Sequence, residues 1–126
     1  MYPSYKTPPS TNEADPQGHD PHTSGAKLDA GKPLSWLCLS GFANALGEVA
    51  AVTTAGAVKY TRNGWRNVLG GEDRYMQAFA RHMLAFGRGE EVDPDTGCSH
   101  RAQMVWNLLA AHELWLSARS PTTSST

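Results

Sequence analysis

Apolar residues recur at helical spacing in three stretches of this 126-residue chain, and nowhere do they alternate as a half-buried strand requires. That period predicts an all-α fold, a compact helical bundle. The first stretch runs from about 37 to 60. Leu39, Phe42, Leu46, Val49 and Val52 make its stripe, alanines fill the gaps, and Asn63-Gly64 punctuates the turn that follows. Gly47 and Gly56 are weak points in an unbroken rod, or places where another helix approaches closely. The second runs from about 73 to 87, with Tyr75, Phe79, Met83 and Phe86 on one face. Glu72 and Asp73 sit at its start, where the helix dipole favours carboxylates. The third runs from about 99 to 118, with Ser99 as N-cap and Met104, Leu108, Ala111 and Leu114 or Trp115 as its stripe.

Five of the eight prolines lie in residues 1–25, among Ser, Thr, Asn and Gly. Residues 1–26 therefore read as a disordered or extended Pro-rich arm, 27–119 as the globular all-α domain and 120–126 as a polar tail. A domain of that size buries little surface for its length, and oligomerisation would complete it. Eleven Lys+Arg against twelve Asp+Glu give a net charge of −1. That balance excludes a basic nucleic-acid coat, and no helix has a one-sided basic face, so no direct nucleic-acid binding is expected. No stretch is apolar for long enough to span a bilayer, and no charged-then-apolar leader opens the chain. The expectation is a cytoplasmic protein with no membrane partner. Cys38 and Cys98 have no CxxC spacing and read as reduced thiols, one buried and one near a turn.

Polar residues on apolar stripes need explaining, because buried polar groups need partners. Glu48 lies between Leu46 and Val49, and Lys59 falls on nearly the same face three turns later. They suit a cation and a phosphate, or they are a solvated glutamate and a snorkelling lysine. His82 shares the side of Phe79 and Phe86, as a ligand or as a satisfied core histidine. His100, Gln103 and Asn107 align at i, i+3 and i+7. They would build a site on facing helices or hydrogen bonds that fix helix register. The loop Gly89-Glu90-Glu91-Val92-Asp93-Pro94-Asp95-Thr96-Gly97 offers hard oxygen ligands to Mg²⁺ or Ca²⁺, or is a solvated turn. Lys59-Tyr60-Thr61-Arg62-Asn63-Gly64-Trp65-Arg66 mixes cations, aromatics and a turn, which suits phosphates and a stacked base. Lys27 and Lys32 flank Asp29 and Gly31 without P-loop spacing, and His19-Asp20 lies in the arm without a second ordered His-Asp pair.

In order, the chain shows Lys27-x-Asp29-x-Gly31-Lys32-Pro33, Glu48, Gly56-Ala57-x-Lys59-Tyr60 and Asn63-x-Trp65-Arg66. Arg81-His82, Gly89-Glu90, Asp93-x-x-Thr96-Gly97, His100 and Asn107 follow. This series resembles the phage dATP/dGTP diphosphohydrolase family, related to the MazG-like all-α nucleoside triphosphate pyrophosphohydrolases. The resemblance implies a MazG-like bundle, a homo-oligomer (dimer or tetramer), and two or three Mg²⁺ or Mn²⁺ ions held by acidic side chains. It implies cleavage of a purine nucleoside triphosphate between its α and β phosphates. The substrate favoured is dGTP, and GTP with it, in phage nucleotide metabolism that feeds 2-aminoadenine DNA synthesis in an infected host's cytoplasm. Glu48 stands apart from the EExxE cluster of MazG-like enzymes, and Gln103 stands where relatives tend to carry a second histidine.

On that resemblance, Glu48, His82 and Asp93 are the expected catalytic residues, and Glu48, Asp93, Asp95 and His100 the expected metal ligands, with Glu91 as a helper. Lys59, Arg66 and Arg81 would face the leaving diphosphate and Lys32 would close over it. Trp65 or Tyr60 would stack on the base, and Asn63 or Asn107 would read its edge or the sugar. Gln103 is expected only to hydrogen-bond. The competing class is a non-catalytic phage helical interaction protein that uses its Pro-rich arm.

Overall fold

The structure, a computed structural model, describes residues 13–119; the first twelve residues of the arm and the tail at 120–126 lie outside the described residues. Four α-helices form among those described: α1 (Ser35–Gly41), α2 (Ala43–Lys59), α3 (Gly71–Gly87) and α4 (His100–Arg119). A 3-10 helix spans Gly64–Asn67. The all-α expectation holds, with no strand among the described residues and one isolated antiparallel bridge between Val92 and Ser99. No single described helix is long and apolar enough to cross a membrane. The chain divides into two compact units, 1–41 and 42–126.

In the first unit, the described residues before α1 are a run of turns gathered on Asp15. Its carboxylate accepts from the backbone N–H groups of Gln17 (2.6 Å) and Lys27 (2.9 Å), and Ala30 N donates to Ala14 O at 2.9 Å. Lys32 Nζ pairs with Glu13 Oε2 at 3.0 Å. Both thiols are free, but neither is buried as one was expected to be: Cys38 is exposed on α1 and Cys98 is half-buried.

The single rod expected from 37 to 60 is two helices. Phe42 leaves helical geometry (φ −117°, ψ 29°), and α2 begins at the next residue. The break follows Gly41, whose backbone loses most entropy in a helix, while Gly47 and Gly56 stay inside α2.

The second unit is built on the α3–α4 pair, with α2 against α4. The pair is antiparallel. Gly71 at the start of α3 lies against Leu114 late in α4, and His82 late in α3 meets His100 at the start of α4. The buried apolar side chains of the second unit are small: Val49 on α2, and Ala102, Ala110 and Ala111 on α4. Small side chains let two helix backbones approach closely. The expected stripe on α4 is therefore rotated. Ala102, Gln103, Asn107, Ala110 and Ala111 turn inward, while Leu108 and Leu109 stand 45% and 52% exposed. Leu39, Phe42 and Met83 are likewise exposed. Trp65, Tyr75 and Trp106 pack edge-to-face with centroids 5.6–6.4 Å apart, and Tyr75 Oη donates to Trp65 O at 3.1 Å. This triad ties the α2–α3 connection to α4.

Candidate metal centre

The geometry at the α3–α4 connection begins with how α3 stops. Glu90 N donates to Ala85 O (3.1 Å) and Gly89 N to Phe86 O (2.9 Å), a Schellman motif with Gly89 at φ 95°, where a side chain would be strained. The reversal brings Glu90 Oε1 within 2.7 Å of His100 Nε2.

The loop that follows is held by its own backbone. Asp93 N donates to Cys98 O (2.9 Å), Gly97 N to Asp93 O (2.8 Å) and His100 N to Glu91 O (2.9 Å). Asp95 N donates to Asp93 Oδ1 at 2.9 Å, an Asx turn that orients the carboxylate. Glu90, Glu91 and Asp95 are exposed and Asp93 is half-buried. Ser99 caps α4 as expected: its Oγ accepts from Ala102 N at 3.0 Å and donates to Glu48 Oε1 at 3.0 Å.

His82 and His100 meet through Nδ1 at 2.8 Å. One donor atom each from His82, Asp93 and His100 lies within 4.8 Å of the other two. Gln103 Nε2 donates to Asp93 Oδ2 (3.2 Å) and Cys98 O (3.3 Å), and Asn107 Nδ2 to Gln103 O (2.8 Å). His100, Gln103 and Asn107 are all buried.

These partners fix the protons. A carboxylate only accepts, so His100 carries its proton on Nε2, toward Glu90. In the neutral pair His100 Nδ1 accepts and His82 Nδ1 donates. Burial, then the neighbouring His100, holds the His82 imidazole below its ordinary pKa, against the opposing pull of Asp93. Burial pushes Asp93 upward, but the Asp95 N–H, the Gln103 amide and the two imidazoles outweigh it and hold the carboxyl below its usual range. His82 is thereby favoured neutral and Asp93 ionised, the charge states that a cation site needs.

The spacing is close to that of one ion's ligands. Two imidazole nitrogens on a tetrahedral ion at about 2.1 Å stand about 3.4 Å apart. The nitrogens of His82 and His100 stand 2.8 Å apart and would part by about half an ångström to take an ion, with an Asp93 oxygen within 4.8 Å of both. Glu90 behind His100 is the carboxylate–histidine arrangement that orients metal-bound imidazoles.

The remaining expected site residues are spread more widely. Glu48 is on the exposed face of α2, bonded to the residue before His100, and lines a cleft of about 430 Å³ with Glu91 and Arg101. Asp95 reaches Asp93 through its backbone. Lys59 ends α2 with Nζ 5.3 Å from the Tyr60 ring centroid, and Arg66 stacks on Trp65 at 4.6 Å. Asn63 holds the left-handed conformation before the 3-10 helix (φ 57°), and Arg81 is exposed on α3. Asn107 stands behind the centre, its amide committed to Gln103. Spacing alone does not single out the roles of Glu90, Ser99 and Gln103; the Gly89-Glu90 pair at a helix end is the signal for the first.

An all-α chain that converges two imidazoles and a carboxylate between antiparallel helices is a helical protein with a candidate metal centre. The chain belongs to the family described as dATP/dGTP diphosphohydrolase, N-terminal, whose model matches residues 22–123. It is similar to a curated protein of Salmonella phage PMBT28 called dATP/dGTP diphosphohydrolase, at 34% identity over 100 residues. That match covers 79% of this chain and 32% of the relative, so the chain spans about a third of the relative's length. No solved structure matches it.

Proposed function

We propose that this chain is a metal-dependent diphosphohydrolase of purine (d)NTPs, with dGTP and GTP as first substrates. The observation that carries this reading is the convergence of His82, Asp93 and His100. Family membership and the relative's name support the substrate class. Water cleaves the bond between the α and β phosphates, giving the monophosphate and diphosphate. His82 Nδ1, His100 Nδ1 and Asp93 would hold a divalent cation, Mg²⁺ or Mn²⁺ on the family resemblance. When bound, the cation screens phosphate charge and makes water a better nucleophile at neutral pH.

The chain's own groups do the rest. Glu90 orients His100, and Gln103 with the Asp95 N–H orients Asp93. Glu48, strapped to Ser99, offers a carboxylate that accepts a proton from water or holds a further ion. A chain of net charge −1 attracts a triphosphate only through local cations, and Lys59, Arg66 and Arg81 are assigned to it. Tyr60, 71% exposed, is better placed to stack on a base than Trp65, whose ring is taken by Tyr75, Trp106 and Arg66. The exposed leucines of α4 suit a homo-oligomer, a dimer or tetramer. In phage-infected cells the reaction would supply dGMP in the host cytoplasm to a pathway making 2-aminoadenine nucleotides.

Chromatography of products after incubation with each nucleoside triphosphate and Mg²⁺ or Mn²⁺ tests this. The expected products are the monophosphate and diphosphate, from dGTP first. Orthophosphate as the first product, or no turnover of any purine triphosphate, would overturn it.

A further inference from the structure

We propose that the His82–Asp93–His100 centre selects a first-row transition-metal dication, in the series from Mn²⁺ to Zn²⁺, over Mg²⁺. This rests on the reading above in taking the centre as a cation site, and makes no use of hydrolysis. Two of its three converging donors are imidazole nitrogens. Mg²⁺ demands near-octahedral oxygen ligation and gives up its waters reluctantly, whereas imidazole suits the later ions. The nitrogens are also aimed. Glu90 accepts a hydrogen bond from His100 Nε2–H, which leaves the Nδ1 lone pair on the side of His82 and Asp93.

Oxygen donors are scarce at the same point. Asp93 is the one carboxylate among the three converging donors, and its two oxygens already accept from Asp95 N and Gln103 Nε2. Glu90 is turned to the far nitrogen of His100, and Glu48 to Ser99. A second histidine at position 103 would add a nitrogen; this chain has an amide there that points its N–H group at Asp93. The set is therefore two nitrogens and one oxygen, the donor balance of a borderline ion.

The test uses the whole chain stripped of metal, with no nucleotide. Co²⁺ is titrated in and its ligand-field absorption followed, and Mg²⁺ is then added. The expected result is visible bands saturating at one ion per chain and surviving Mg²⁺ in on the order of 100-fold excess. Glu90→Gln should weaken Co²⁺ binding by about 10–100-fold. His82→Gln and His100→Gln should abolish the bands while circular dichroism stays helical. Displacement by Mg²⁺ at comparable concentration, or bands kept in both histidine variants, would overturn the proposal. The wild-type competition decides even where a variant fails to fold. Selective Co²⁺ binding without turnover would sink the activity and leave this inference standing; turnover with Mg²⁺ and no Co²⁺ binding would do the reverse.

Discussion

His82 Nδ1 and His100 Nδ1 stand 2.8 Å apart, one presented by α3 and one by the first residue of α4. Two imidazole lone pairs at that distance repel unless a positive species lies between them. In the metal-free protein that species is a proton; a bound cation would take its place. The pair is the point at which the α3–α4 packing and the chemistry become one constraint.

Replacing His82 by Ala should lower diphosphate release from dGTP by at least about 100-fold, because it removes a ligand and a proton-bearing ring together. Steady-state assays with Mn²⁺ measure this. A fall of less than about tenfold would remove His82 from the reacting centre.

Gln103→Leu should destabilise the fold by about 1–3 kcal/mol, since Asp93 and the Cys98 carbonyl each lose a donor at a buried position. Urea unfolding reads it. Gln103→Glu should cost more, because it sets a second carboxylate against Asp93. Equal stability of Gln103→Leu and the wild type would show that the amide does not hold the loop.

Ser99→Ala should cost about 1 kcal/mol as a lost N-cap and release Glu48 from α4. Glu48→Gln keeps an oxygen that accepts from Ser99, so its melting temperature should match the wild type while metal-dependent turnover disappears. Retained turnover in Glu48→Gln would leave the carboxylate as a strap between helices and nothing more.

Val105 and Leu109 lie one helical turn apart on α4 and are 44% and 52% exposed. The full chain should sediment as a dimer or tetramer, and Leu109→Glu should shift it toward monomer. A monomeric wild type at micromolar concentration would exclude the assembly.

The helices were legible because their apolar period is strong. Their inward faces were not. Hydropathy ranks Leu108 above Ala110, yet close approach of α3 and α4 favours the smaller side chain, so the face rotates toward alanine, Gln103 and Asn107. The polar line His100, Gln103 and Asn107 was readable, since three buried polar residues on one helical face need partners; His100 finds one on α3, Gln103 in the loop and Asn107 in the backbone of α4 itself. What His100 meets was not, because its pairing with His82 joins residues eighteen apart through a helix end and a loop. Glu90 illustrates the same limit. Within a run of acids it looks like solvated charge, and only the left-handed Gly89 directs it back onto His100.

The buried alanines of α4 set a tolerance as well as a contact. Ala102, Ala110 and Ala111 are 2–6% exposed, and Ala102 lines the cleft shared with Glu48 and Val49 of α2. A bulkier residue at any of them would push α4 away from the helices packed on it, with no change in any ligand. In a library of random variants these three positions should therefore be filtered by volume alone, and inactive clones should map to them as often as to the histidines.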